Sequence, residues 1–153
     1  MRSRLNFKKG NDNNLDYASL SQGSKLCEQT CLLDEKLIRQ YRIAVQDNSE
    51  TIKDSDGSNF VPPMAIAAIS LQGSITELKI PDGTLHVGHE IEINQPVKFG
   101  EHITCISNIS SNNIRGNWRF LGIEHITTNH SGKRVMTSTS TIMLPSPDLS
   151  DGK

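Results

Sequence analysis

No histidine occurs before residue 86, and aromatic residues make up only 5% of the 153-residue chain. Any imidazole chemistry must therefore come from the second half. The three cysteines, Cys27, Cys31 and Cys105, are odd in number. Cys27 and Cys31 alone suggest a metal half-site, but no second pair follows them. They are expected to be reduced thiols in a cytoplasmic protein. Sixteen basic residues against seventeen acidic ones leave a net charge of -1. That balance gives no electrostatic footprint for nucleic acid or an anionic membrane. A membrane span needs roughly 18 to 20 apolar residues in a row. The best candidate is interrupted by Gln72, Ser74 and Glu77. The opening MRSRLNFKKGNDNN is basic but lacks the apolar core of a signal peptide, so secretion is not expected. Glycine-rich phosphate loops and Gly-x-Ser-x-Gly elbows are missing too. No cofactor is implied.

What is present has an uneven layout. Residues 1–24 are polar and without periodicity, and read as a flexible arm. A single domain is expected over 25–145, followed by a disordered tail over 146–153. Structure begins with a short strand, LCEQTCLL, from Leu26. Asp34 then sits where a helix N-cap belongs, and Leu37, Ile38, Tyr41, Ala44 and Val45 recur at helical spacing. A loop rich in Asp, Asn, Ser and Gly follows. Pro62 and Pro63 head the next helix, where the first N–H groups lack partners anyway. Seven of the eight residues from Met64 to Leu71 are apolar, which predicts that both faces of this helix are covered.

The second half reads as strands. In Leu85–Ile93 the residues Leu85, Val87, Ile91 and Ile93 alternate with Glu90 and Glu92, predicting one buried face. That alternation puts His89 on the apolar side and His86 on the polar side, so the two point apart and do not chelate one ion easily. Pro96 marks a strand end or bulge. The runs HITCISNIS, NIRGNWRFLGIEHITT and KRVMTSTSTIMLP follow, separated by Ser-Asn-Asn and Asn-His-Ser-Gly as hairpin turns. His102 and His125 fall on strands and His130 in a turn, and no pair has metal-ligand spacing, so no metal site is expected. Gly73, Gly83 and Gly88 read as helix-end and turn glycines. Trp118 and Phe120 are expected to pack on the apolar helix or to line a pocket. Arg115, Arg119, Lys133 and Arg134 gather around the last hairpin, either as a solvated rim or facing phosphates. The order of elements is an α+β pattern: an antiparallel sheet wrapped around one long apolar central helix.

Four short motifs, in order, carry a resemblance: Val61-Pro62-Pro63, Leu85-His86, Gln95-Pro96-Val97 and Gly100-Glu101. Together they resemble the N-terminal MaoC-like dehydratase family, hot-dog-fold relatives of the dehydratases of fatty-acid synthesis, over roughly residues 26–145. Gln95 stands where the family pattern has Arg, and Glu101 where it has Asp. The resemblance implies hydration or dehydration of 2-enoyl and 3-hydroxyacyl thioesters carried on coenzyme A or acyl carrier protein. That chemistry needs an Asp and a His as acid and base. It also needs backbone N–H donors at a helix N-terminus to polarise the thioester carbonyl. The family places the dyad in a loop before the central helix, written Gly-Asp-x-Asn-Pro-x-His-x-Asp. Over Gln46–Asp54 both aspartates remain, but Ile52 occupies the histidine position.

The dyad is thus incomplete, with Asp47 and His86 as the remaining catalytic candidates and Pro63, Met64, Trp118 and Phe120 as candidate substrate contacts. The plainer reading makes Asp47 a turn residue and His86 structural. A histidine-free copy in this family pairs with an active one, which implies a second hot-dog subunit, a heterodimer in preference to a homodimer. The resulting expectation is the non-catalytic, tunnel-forming half of an acyl-thioester dehydratase or hydratase. Two other readings stay open: a self-sufficient hydratase or thioesterase using Asp47 or His86, and a non-enzymatic acyl-CoA-binding module.

Overall fold

The computed structural model describes residues 15–145. A 3-10 turn at Tyr17–Ser19 leads into β1 (Lys25–Leu32) and α1 (Glu35–Ala44). A loop then precedes the long helix α2 (Pro63–Leu78), and four strands follow: β2 (Leu85–Ile93), β3 (His102–Arg115), β4 (Trp118–Asn129) and β5 (Arg134–Pro145). All pairings are antiparallel, in the order β1-β3-β4-β5-β2. β1 and β2 are therefore the sheet edges. No described helix is long and apolar enough to cross a membrane.

α1 starts where its cap predicts, with the Asp34 carboxylate accepting the Leu37 N–H at 2.8 Å. α2 lies on one face of the sheet. Ala65, Ile66 and Ala67 are buried with Leu33, Ile38 and Val97 at one end, and Leu78 with Leu121, Ile123 and Leu144 at the other. Gly73 is no helix-end residue but sits within α2, where β1 approaches closely. A Cβ there would lie 2.9 Å from Gln29 Oε1 and 3.1 Å from Cys27 Sγ.

Several expectations change at particular residues. Residues 15–24 join the fold instead of the arm. Leu15, Tyr17 and Leu20 pack on the Leu78 cluster, the Tyr17 hydroxyl donates to the Leu78 carbonyl at 2.5 Å, and Gly23 N–H bonds to Ile109 O at 2.7 Å. The remainder of the arm and the tail over 146–153 lie outside the described residues. α2 is covered on one face only: Met64 (53% exposed) and Ile75 (50%) stay open, because one sheet can wrap only one side. The apolar side of β2 is not buried either, since Leu85, Val87 and Ile93 are each about half exposed on an edge strand.

Two turns resolve differently. Asn129 to Gly132 forms the expected hairpin, with Gly132 N–H donating to Asn129 O at 2.9 Å. Ser-Asn-Asn does not turn. β3 runs on to Arg115 with a register shift between Ile109 and Ser111, and the chain reverses at Gly116, whose φ of 57° suits glycine. A second register shift lies between His86 and Gly88. It reverses the alternation, so His86 (opposite Ile142) and His89 (opposite Ser140) share the inner face. Their rings are 5.6 Å apart, not on opposite faces.

Candidate functional site

The segment between α1 and α2 is tied down by charged side chains. Arg42, on the last turn of α1, donates to Thr51 Oγ1 at 2.8 Å and to the Ser49 carbonyl. Its Nε lies 3.4 Å from Asp47 Oδ2. Asp47 also accepts from the Ser49 N–H at 2.9 Å and the Ser49 hydroxyl at 2.6 Å. These Ser49 bonds, with the Arg42 guanidinium behind them, hold the Asp47 carboxyl below its ordinary pKa of 3.8. Further along, Lys98 Nζ clamps Asp54 at 2.7 Å and Asp56 at 2.9 Å. The two carboxylates push the Lys98 ammonium up to about 12. Phe60 N–H returns to Ile52 O, and Val61 N–H bonds to Val97 O.

This ordered loop roofs a cleft of about 490 Å³. Apolar groups dominate it: Pro62, Pro63 and Ile66 at the start of α2, Ile93 and Val97 around the β2 end, and Met136 on β5. Asp47, Arg42, Ile52 and Gln95 line it as well. Ile52, where the resemblance expects a histidine, is 74% exposed. Pro62 and Pro63 carry no N–H, and Ala65 N–H is taken by the Pro62 carbonyl, which leaves Met64 as the first residue of the helix with a backbone donor.

The cleft gathers Asp47 and Pro63 but not the other candidates. Met64 faces away from it, exposed. His86 lies on the β2 edge beside His89. Trp118 and Phe120 do not pack on α2. The buried side chains of β4 are Arg119, Leu121, Ile123, His125 and Thr127, which places the two aromatics on the opposite face, where the Arg115 guanidinium stacks 5.6 Å from the Phe120 ring. Arg119 leaves the supposed basic rim: it is 8% exposed and donates to Asn112 Oδ1 at 2.8 Å. All three cysteines are free thiols, and burial raises the pKa of Cys27 and Cys31.

Sequence reasoning passed over His125. It is 1% exposed, and its Nδ1 lies 2.8 Å from the Ser107 hydroxyl. Burial, with His89 nearby, lowers its pKa to about 4. Its shared parity with Leu121 and Ile123 was the available signal. Arg42 was missed for another reason: nothing in the spacing between α1 and the loop shows that they meet.

A family model of FAS1-like proteins, dehydratase domain region, matches residues 22–138. The chain belongs to this family. Among solved structures it is similar to the R-hydratase PhaJ1 of Pseudomonas aeruginosa, with a TM-score of 0.71, 21% identity, and 86% of each chain covered. It is similar as well to a chain of the HadBC 3R-hydroxyacyl-ACP dehydratase complex of Mycobacterium tuberculosis (TM-score 0.67, 15% identity), over 85% of this chain and 98% of that one. A double-hotdog protein of the same organism matches over 89% of this chain and 46% of its own (TM-score 0.70, 16% identity). No curated protein matches the sequence. The fold is the hot-dog fold of the MaoC-like dehydratases and hydratases.

Proposed function

We propose that this chain is the non-catalytic subunit of an acyl-thioester dehydratase or hydratase, holding the acyl group while a second hot-dog chain supplies the Asp/His dyad. One observation carries this reading. The apolar cleft is intact, but Asp47 in its lining is bound to Arg42 and Ser49, and Ile52 stands in the histidine's place. A general base works best with a pKa near the operating pH, and Asp47 is displaced the other way. The FAS1-like dehydratase family match and the likeness to a HadBC chain, a two-chain dehydratase by name, support the same reading.

The substrate is a 3-hydroxyacyl or 2-enoyl thioester on coenzyme A or acyl carrier protein, and the setting is the reducing cytoplasm, in keeping with three free thiols. β2 is the edge that meets the partner. β1 exposes one large apolar residue, Leu32, beside Lys25, Glu28 and Thr30, whereas β2 exposes three, Leu85, Val87 and Ile93, beside Glu90 and Glu92. The test is an enoyl-thioester hydration assay on this chain, on a co-expressed hot-dog partner bearing the intact loop, and on their complex. The complex is expected to exceed the partner alone, with this chain inactive. Hydration by this chain alone at the complex's rate would refute the reading. A complex no faster than its partner would favour a plain acyl-binding module.

A further inference from the structure

Between the two apolar clusters, the interface of α2 with the sheet is polar. Ser70 on α2 meets Thr127 at 2.9 Å, and Ser107 on β3 meets His125 at 2.8 Å; all four residues are 1% exposed. The belt continues along neighbouring cross-strand pairs. His125 is opposite Ser138, and Ser140 is opposite His89. His125 Nε2, Ser138 Oγ, Ser140 Oγ and His89 Nε2 are buried without a hydrogen-bond partner among the described residues. Leaving such groups unsatisfied inside a core costs about 1–3 kcal/mol each, so a belt of them is not a packing device. It runs from β3 to the open edge of the sheet and ends at the exposed His86, which the β2 register shift turns to the same face.

We infer that pairing of the second hot-dog chain along β2 is proton-linked, and that His86 and His89 must be neutral for the sheet to continue across that edge. The inference rests on the two-chain reading above. Two imidazoles 5.6 Å apart repel when both are charged, and a covering strand removes the water that would screen them. Among the described residues no carboxylate answers them on this face. β5 contributes Ser138 and Ser140, β4 contributes His125, and β3 contributes Cys105 and Ser107. α2 contributes Ser70 and Ser74, and its only titratable side chain, Glu77, is exposed. Glu90 and Glu92 alternate with His89 and Ile91 and take the other face of β2. Burial and the neighbouring His86 already depress the His89 pKa before any partner arrives.

Each proton that must be shed weakens pairing about tenfold per pH unit below the pKa of the histidine that carries it. The experiment is sedimentation equilibrium on the complex with the co-expressed partner, from pH 7.5 to 5.5 at fixed ionic strength, with far-UV circular dichroism at each pH. The dissociation constant is expected to rise at least about tenfold while the chains stay folded, and His86→Gln/His89→Gln is expected to cut that rise to below about threefold. His86→Gln alone, at an exposed site, is a second variant that spares the fold and lowers the rise part of the way. A stable complex with a pH-invariant dissociation constant, or variants with the wild-type rise, would overturn the proton link alone. If no complex forms at pH 7.5, the two-chain reading and the link fall together.

Discussion

Lowering the pH should weaken the folded chain, and His125 is the main cause. It is 1% exposed, contacts Ser107 through Nδ1, and keeps Nε2 in the buried belt without a partner. Its pKa falls from the ordinary 6.5 to about 4. The unfolded chain therefore takes up this proton near pH 6.5 and the folded chain only near pH 4. Stability is complete above 6.5 and declines as the pH drops between those values. At about 1.4 kcal/mol per pH unit the loss comes to about 3 kcal/mol. That is a sizeable share of the 5–15 kcal/mol typical of a domain.

The three aspartates with lowered values contribute mainly below this window. Asp47, Asp54 and Asp56 all have lowered pKa values, so their contributions persist above 3.8 and disappear only below it. His89, also lowered, adds a smaller slope of the same sign in the same range. The assay is urea denaturation from pH 7.5 to 4.0, read by far-UV circular dichroism and by the single tryptophan, Trp118. Protein concentration must be held constant, because association contributes to apparent stability. His125→Gln offers Ser107 an amide in place of the ring nitrogen. It should be less stable at pH 7.5 and have lost most of the slope, leaving the His89 share. A wild-type chain equally stable at pH 7 and 4.5, or a variant retaining the full slope, would refute the reasoning.

Two further outcomes follow from close contacts. Gly73→Val should destabilise the chain by about 1–3 kcal/mol in urea titrations, because Gln29 is held by its bond to the Ile69 carbonyl at 2.6 Å and cannot retreat from the new side chain. Arg42→Gln should raise the rate of limited proteolysis within residues 47–51 and cost about 1–3 kcal/mol, since one guanidinium holds Asp47, Ser49 and Thr51 together.

These residues also mark what a sequence can and cannot disclose. Helix starts and one hairpin were legible because their signals are local: Asp34 caps α1 three residues before the N–H it accepts, and Asn129 with Gly132 closes a turn on itself. Strand faces are a different matter, because parity is inherited from residue to residue. The single extra residue at Val87 reverses the faces of Leu85 and His86 relative to the rest of the strand, and no composition rule marks its place. The same limit hid the extension of β3 beyond Ser111, where Gly122 makes room opposite the irregularity. That Ile52 stands where the resemblance places a histidine is readable from a motif, yet what holds Asp47 is not. Arg42 lies on another element, and only the fold brings α1 against the loop. The isoleucine at position 52 and the bonded Asp47 are thus independent observations, one from sequence and one from geometry. A chain retaining catalysis through its loop aspartate would need Asp47 available as a base. The guanidinium beside it and the Ser49 bonds oppose that, which is why we propose that a partner chain carries the chemistry.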